Sequence, residues 1–252
     1  MTFIERHLPK TINDLVFREP YVAKTIGQYA TGERTKHLLL YGPAGSGKSE
    51  AARILVDTLA PGTAGTYANE HINPKNFKGK DFGQILNSWS AQANFGGASR
   101  GFVVIDEVDW FAEKMMHELR GFMDDHKSGT IICTTNHLNK LDDPLKNRFK
   151  KLHVEWPTVE NWLPRAKAIM AIEGYDLTDH ETLLLLKGFH GSGRDLIEWL
   201  EDYVLTLNSS EPNVAAPAPA HSKLTLTSPI FSGVSSNLPP TLTILSGKSA
   251  AN

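Results

Sequence analysis

The feature that most constrains the fold is an octapeptide that joins a predicted strand to a predicted helix. Residues 42–49 read GPAGSGKS and match the pattern G-x-x-x-x-G-K-[ST]. The apolar run His37–Tyr41 precedes it, and the helical pattern of residues 49–60 follows it and stops at Pro61. Glycines let several backbone N–H groups converge, and the helix amino terminus adds about half a positive charge. The octapeptide, here called the phosphate loop, predicts a polyphosphate site; a glycine-rich turn before a helix is the alternative.

The phosphate loop also carries side chains that suit a nucleotide and its metal ion. Lys48 reaches the β- and γ-phosphates as a point charge, and the Ser49 hydroxyl is a hard oxygen ligand for Mg²⁺. ATP and Mg²⁺ are therefore the predicted cofactors. The predicted nucleotide-binding residues of the loop are Gly42, Pro43, Ala44, Gly45, Ser46, Gly47, Lys48 and Ser49.

Three short apolar runs predict strands of one parallel sheet. They are His37–Tyr41, Phe102–Ile105 and Thr130–Thr134, and a polar turn follows each of them. Because helical patterns alternate with these strands, we expect a three-layer α/β domain with helices on both faces of the sheet. Residues that follow parallel strands gather at one edge of the sheet, where ligands bind.

Two carboxylates follow the second of these runs. Asp106 is predicted to hold Mg²⁺ together with Ser49, and Glu107 is predicted to orient and deprotonate the attacking water. The alternative is that these two residues only form a turn after a core strand, and the phosphate loop upstream argues against it. Asp109, two residues further on, fits a helix cap as well as a catalytic group.

Three further residues complete the candidate catalytic set. Asn136 follows the third run and either contacts the γ-phosphate or the attacking water, or only begins a turn. Arg148 would neutralise charge that develops on the γ-phosphate, unless it is a surface arginine in a basic cluster. Arg194 lies in the first turn of a helix, where its charge opposes the helix dipole. That placement indicates an anionic ligand, with an exposed arginine as the alternative.

The chain divides into three regions of different composition. Residues 1–156 form the predicted nucleotide-binding α/β domain, and residues 157–208 read as helices throughout, which predicts a small all-α lid domain. Residues 209–252 are rich in Ala, Pro, Ser and Thr, which predicts a low-complexity, disordered tail. Two alternating stretches within the tail, 224–227 and 241–245, are candidate partner-binding segments.

Composition narrows the class of protein. A net charge of −2 does not indicate a protein whose whole surface is basic, as in many nucleic-acid-binding proteins. Any DNA contact therefore needs a local basic patch or a groove shared by several copies of the chain. Cys133 is the only cysteine, which excludes an intrachain disulfide and fits a reducing compartment. The first residues are charged and no long apolar run occurs, so we expect no signal peptide, no membrane span and a cytoplasmic location.

The order of these motifs resembles that of the P-loop AAA+ ATPases. Within that class the chain is similar to clamp-loader subunits of the replication factor C small-subunit type. The closer likeness is carried by Leu8–Val16, Asp106–Trp110, Met116–Asp124 and Pro144–Phe149, within a similarity that spans about residues 5–205. It implies that Lys48, Ser49, Asp106 and Glu107 serve phosphates, metal and water as described above.

The resemblance implies further roles. Asn136 would sense the γ-phosphate, Arg148 would act on ATP held by a neighbouring subunit, and Arg194 would touch the phosphates of its own subunit's ATP. Val16 and Phe17 would lie near the adenine. Family members assemble with other copies or related AAA+ subunits into rings or spirals. The function implied is ATP-dependent opening or loading of a sliding clamp on DNA at a replication site.

Candidate DNA contacts follow from the same likeness. Arg120 matches an arginine that in the family links DNA binding to the catalytic glutamate. Helices that line the assembly would track the DNA backbone without reading its sequence. Arg120, Lys75, Lys78 and Lys80 are the candidates, although a solvated charged loop explains the three lysines as well.

Three departures from the family keep other functions open. Leu8 replaces the usual arginine, and Asn147–Phe149 replaces the Ser-Arg-Cys triplet. The low-complexity region stands where the family has a helical collar domain, so the usual five-membered ring is not implied. The alternatives are another DNA-associated AAA+ motor, such as a helicase loader, branch-migration motor or transposition helper, and a nucleotide-binding structural subunit with little turnover.

Overall fold

The computed structural model describes residues 1–59, 69–74, 82–84, 86, 101–125 and 129–209. They cluster into two compact units. One unit is Pro9–Pro157, and the other combines Met1–Leu8 with the chain from Thr158 onward. The first eight residues therefore group with the second unit, whereas the sequence pattern predicts them in the α/β domain. The predicted tail, apart from Ser209, lies outside the described residues.

A five-stranded sheet organises the unit Pro9–Pro157. Its strands are β1 (Leu38–Tyr41), β2 (Asn69–Ile72), β3 (Gly101–Ile105), β4 (Gly129–Thr135) and β5 (Lys150–His153). Their order across the sheet is β2-β3-β4-β1-β5, and each strand is parallel to its neighbours. The three predicted strands correspond to β1, β3 and β4, so the predicted parallel α/β fold is confirmed.

Eight α-helices have their full range in the described residues, and residues 82–84 and 86 are also helical. The eight are α1 (Phe3–His7), α2 (Pro20–Ala30), α3 (Lys48–Leu59), α4 (Glu113–Asp125), α5 (Asp143–Asn147), α6 (Val159–Ile172), α7 (Asp179–Leu185) and α8 (Gly193–Ser209). Short 3₁₀ turns at Ile12–Asp14, Val108–Trp110 and Leu138–Lys140 join some of them. None of these helices is both long and apolar enough to span a bilayer.

The sheet separates two apolar clusters, because successive strand residues point to opposite faces. Leu39, Val103 and Ile131 pack on one face with α4, which contributes residues such as Leu119 and Phe122. The opposite face takes Leu38, Val104 and Ile132, and α2 and α3 pack there through Ile26, Ala51 and Leu55. Helices thus cover both faces, which explains why the central strands are continuous apolar runs.

The second unit is helical, as predicted for residues 157–208. Capping boxes begin α6 at Thr158 and α7 at Thr178. A stripe of buried side chains along α8 supplies the core, namely Leu196, Ile197, Leu200, Tyr203, Val204 and Leu207. Glu173, which follows α6, accepts hydrogen bonds from Arg6 at 3.0 Å and pairs with His7 at 2.6 Å. These contacts hold α1 within this unit.

Candidate nucleotide-binding site

The phosphate loop turns from β1 into α3 through glycines in conformations that other residues rarely adopt. Its φ angles are 149° at Gly42, 77° at Gly45 and 88° at Gly47. At Gly42 an added Cβ would lie 2.1 Å from the Val154 carbonyl oxygen. Helix α3 begins within the loop, and the Ala51 N–H donates to the Gly47 carbonyl at 2.8 Å. The amino terminus of α3 therefore opens onto the loop, as anion binding requires.

Gly42→Ala is expected to lower the thermal unfolding midpoint and to weaken ATP binding. The added methyl group forces the loop away from Val154, and overpacking of this kind costs about 1–3 kcal/mol. Gly121→Ala is the matched control, because Gly121 lies on α4 with no atom within 4 Å of the added Cβ. There the helix should gain about 0.5–1 kcal/mol. Calorimetry and ATP titration of both variants test this, and unchanged values for Gly42→Ala would contradict it.

Lys48 is buried, and its ammonium group lies inside the phosphate loop. Its Nζ donates to the carbonyl oxygens of Pro43 at 2.6 Å and Gly42 at 3.0 Å, and to Ser46 Oγ at 3.3 Å. Burial lowers the pKa of Lys48, and the carboxylates of Asp106, Asp109 and Glu107 oppose that shift. The same N–H donors are available to phosphate oxygens, which would take over from these loop oxygens.

Asp106 connects the carboxyl end of β3 to the phosphate loop. Ser49 Oγ donates to Asp106 Oδ1 at 2.6 Å, so the two predicted Mg²⁺ ligands touch each other. The Asp106 N–H donates to the Ile72 carbonyl at 2.9 Å, which fixes the main chain beside β2. Mg²⁺ takes one or two protein oxygens and completes its shell with water and phosphate. One hydroxyl and one carboxylate at hydrogen-bond distance fit that requirement.

Glu107 occupies the next position with an unusual main-chain conformation. Its φ of 54° and ψ of 51° are left-handed, and it is the only non-glycine residue with positive φ in the described chain. The Glu107 N–H donates to Thr134 Oγ1 at 3.0 Å, and the Glu107 carbonyl accepts from the Trp110 N–H at 3.0 Å. Non-glycine residues hold this conformation only where neighbouring contacts enforce it, and such residues cluster at functional sites.

Asp109 follows Glu107 by two residues, and the structure decides only whether it caps a helix; a catalytic role for it stays a prediction. It lies inside the 3₁₀ turn rather than capping it, so the helix-cap interpretation is wrong. Its side chain is buried, Oδ1 accepts from Thr135 Oγ1 at 2.7 Å, and Lys140 Nζ lies 3.8 Å from Oδ2. Residues Asp106–Asp109, here called the acidic turn, are thus bonded through Asp109 to the end of β4.

Asn136 follows β4 at the same edge of the sheet. The Gly42 N–H donates to the Thr135 carbonyl at 3.3 Å. The first residue of the phosphate loop is therefore hydrogen-bonded to the residue that precedes Asn136. Thr135 Oγ1 also accepts from the His137 N–H at 2.9 Å, which fixes the main chain on both sides of Asn136. The Asn136 main chain therefore follows directly on the contact between β4 and the phosphate loop, and the Asn136 side chain is half-buried.

The remaining predicted nucleotide contacts lie before α2. Val16 and Phe17 are half-buried, and Phe17 packs against the apolar cluster under α2 and α3. Trp156, which no sequence motif singles out, is half-exposed, and its indole N–H donates to the Ala44 carbonyl at 2.7 Å. Trp156 therefore supports the phosphate loop from the segment that follows β5.

Arg148 lies at the other end of the sheet from its own phosphate loop. It ends α5 two residues before Lys150, which pairs with Leu38 at the amino end of β1. The four residues of β1, about 13 Å of extended chain, separate that level from the loop. The guanidinium donates to Asp124 at 2.9 and 2.5 Å and to the Pro144 carbonyl at 2.7 Å. The hydrogen bonds with Asp124 raise the pKa of Arg148 and lower the pKa of Asp124.

Of the other predicted residues, Arg120 lies in the unit Pro9–Pro157, Arg194 lies in the helical unit, and three lysines lie outside the described residues. Arg120 pairs with Asp142, which caps α5 by accepting the Leu145 N–H at 2.9 Å. Arg120 therefore contacts the helix that carries Arg148. Arg194 is exposed in the first turn of α8, within the helical unit. The candidate DNA contacts Lys75, Lys78 and Lys80 lie outside the described residues.

The part of the chain that carries this site matches a known protein family. Residues 38–155 match the family described as "ATPase family associated with various cellular activities (AAA)". Human replication factor C subunit 5 is 27% identical over 71% of the chain, and a Caenorhabditis elegans replication factor C subunit 4 is 25% identical over 84%. The small subunit from Natronomonas pharaonis is 27% identical over 79%. The chain spans between 53% and 66% of the length of these relatives.

Solved structures give the same fold. The Thermotoga maritima RuvB Holliday junction branch migration motor superposes with a TM-score of 0.60, at 20% identity, over 82% of this chain and 67% of that one. A lysine-to-arginine mutant of the same RuvB gives a TM-score of 0.63 at 18% identity, over 80% and 66% of the two chains. At this identity the likeness concerns the fold alone. Residues 38–155 thus form an ATPase domain of the AAA family, and the chain resembles the small subunits of replication factor C.

Proposed function

We propose that this chain is an ATP-hydrolysing subunit of an oligomeric, clamp-loader-like machine that opens or loads a sliding clamp on DNA. The observation that carries the ATPase part is the 2.6 Å contact between Ser49 and Asp106, which joins the phosphate loop to the acidic turn. The replication part is supported by relatives named as replication factor C subunits, which align over most of the chain. The setting proposed is a replication site in the cytoplasm.

The residues of the site have separable tasks in this proposal. Lys48 and the loop N–H groups bind the β- and γ-phosphates, and Ser49 and Asp106 hold Mg²⁺, which neutralises phosphate charge when bound. Glu107 takes a proton from the water that attacks the γ-phosphorus, while the bond to the β–γ bridging oxygen breaks and ADP departs. Asn136 orients that water or the γ-phosphate.

Arg148 serves the ATP of a neighbouring subunit in this proposal. It lies at the amino end of β1, whereas its own phosphate loop lies at the carboxyl end, so its own ATP is out of reach. In a head-to-tail assembly, the sheet end that carries Arg148 in one subunit faces the sheet end that carries the phosphate loop in the next subunit. Hydrolysis would then depend on assembly, and the partners proposed are further copies or related AAA+ subunits, DNA and a sliding clamp.

The DNA contacts proposed are those expected from the resemblance. Arg120 is the candidate within the described chain, and its bond to Asp142 would couple DNA contact to the helix that carries Arg148. Lys75, Lys78 and Lys80 remain candidates for backbone contacts. The role expected of Arg194 on the phosphates of bound ATP stays a prediction.

ATPase rates with and without a clamp test the function. We expect turnover to rise about tenfold or more when primed DNA and a purified sliding clamp are added together, since charge stabilisation by Arg148 requires assembly. DNA alone should give a smaller increase. A clamp that changes neither rate nor affinity would exclude clamp loading and favour another DNA-associated motor. Absence of turnover under every condition would favour a structural nucleotide-binding subunit.

A further inference from the structure

Thr134, the next-to-last residue of β4, bonds to two successive residues of the acidic turn. Its side chain is buried, with 1% of its surface exposed. Oγ1 donates to Asp106 Oδ1 at 2.5 Å and accepts the Glu107 N–H at 3.0 Å. One hydroxyl thus contacts the proposed metal ligand and the main chain of the proposed catalytic base.

The direction of these hydrogen bonds is fixed by their chemistry. A main-chain N–H only donates, so the Thr134 oxygen is the acceptor for Glu107. An ionised carboxylate only accepts, so the Thr134 hydroxyl donates its hydrogen bond to Asp106. The hydroxyl is therefore polarised from the Glu107 amide toward the Asp106 carboxylate, and it cannot rotate away without breaking both bonds.

Both partners need such support. Glu107 is left-handed, with φ at 54°, and a residue with a side chain keeps this conformation only where contacts enforce it. Asp106 Oδ1 accepts from Ser49 as well as from Thr134, so one carboxylate oxygen is fixed between the phosphate loop and β4. Loss of the Thr134 hydroxyl would free the turn that aims the Glu107 carboxylate.

We propose that Thr134 is a positioning residue for ATP hydrolysis, because its hydroxyl sets the placement of the Asp106 and Glu107 carboxylates. The inference rests on the roles proposed above for those two residues. Thr134 itself touches neither phosphate nor water in this proposal. Its contribution is geometric and should appear in kcat rather than in ATP affinity.

Thr134→Val tests this, because valine keeps the branched shape and removes the hydroxyl. We expect kcat to fall about tenfold to a hundredfold, since misplacement of a catalytic group by about 1 Å has effects of this size. KM and the Kd for ATP should stay within about threefold, because the phosphate contacts are intact. Thr134→Ser restores the hydroxyl and should recover most of kcat.

Thr130→Val is the matched control. Thr130 is also buried on β4, but it lies at the opposite end of the strand, where its Oγ1 donates to the Thr35 carbonyl at 3.4 Å. Both substitutions remove one buried hydroxyl, so a purely structural role predicts similar unfolding midpoints and similar kcat values. The positioning role predicts a loss of kcat for Thr134→Val alone.

Glu107→Gln, measured in parallel, separates failure of the inference from failure of the proposed function. If Glu107→Gln retains wild-type turnover, the role proposed for Glu107 is wrong. If it loses turnover while Thr134→Val keeps it, the positioning role of Thr134 is wrong. Equal losses of kcat in Thr134→Val and Thr130→Val would also overturn the inference. Should Thr134→Val not fold, Thr134→Ala against Thr134→Ser carries the same comparison.

Discussion

Arg148→Ala is expected to lower ATP turnover of the assembled protein by about 10³-fold or more, the range known for arginines that stabilise phosphoryl transfer in trans. ATP affinity of the separate subunit should stay near the wild-type value, because Arg148 lies at the other end of β1 from the phosphate loop. Its present partner, Asp124, is more than half exposed, so water screens this ion pair and can replace either partner. The guanidinium can therefore exchange that carboxylate for a triphosphate.

A mixing experiment shows directly whether the arginine acts between subunits. Lys48→Ala removes the ammonium from the phosphate loop but keeps Arg148, and Arg148→Ala does the reverse. Each variant alone should have little turnover. An equal mixture should recover up to about a quarter of the wild-type rate, since half of the sites keep Lys48 and half of their neighbours keep Arg148 in a head-to-tail assembly.

The control for the mixture is a double variant, Lys48→Ala with Arg148→Ala, added to either single variant. Neither of these control mixtures can place both groups at one junction, so both should stay inactive. Recovery in the control, or no recovery in the test mixture when mass measurements show mixed assemblies, would contradict action in trans. Wild-type turnover of Arg148→Ala alone would remove the arginine from the mechanism.

The central part of the fold was predictable because its signals are local. The strands β1, β3 and β4 are apolar runs that helices cover on both sides, and the phosphate loop has a fixed spacing of glycines and lysine. Strand β5 was missed because Leu152 is its one buried residue, so Lys150–His153 shows no apolar run. It is a strand because it pairs with β1, which is a property of the tertiary structure.

The site was predictable as a set of residues but not as a set of contacts. Asp106 and Glu107 are recognisable from their position after an apolar strand, whereas the left-handed turn at Glu107 depends on a hydroxyl supplied by β4. Two consecutive threonines, Thr134 and Thr135, directly after the apolar run Ile131–Cys133 were the available signal. Each bonds to an acidic residue 26 or 28 positions earlier, which no local pattern encodes.

Glu107→Gln is expected to lower turnover by about 10²–10⁴-fold, the usual contribution of a general base. ATP binding should persist, because glutamine keeps the main-chain bond to Thr134 and leaves the contact between Ser49 and Asp106 untouched. Phosphate release and titration with a fluorescent ATP analogue measure the two quantities separately. Glu113→Gln is the matched control, since Glu113 is exposed at the start of α4 and should behave like the wild type.

The same variant also tests the link between hydrolysis and assembly. If ATP lies between subunits, a variant that binds but does not hydrolyse it should keep the ATP-bound assembly intact for longer than the wild type does. Mass measurements at intervals after ATP addition would show this as a persistent oligomer for Glu107→Gln and a decaying one for the wild type. Equal decay with intact ATP would show that ATP does not stabilise the interface, and the proposed position of Arg148 against a neighbour's nucleotide would then be wrong.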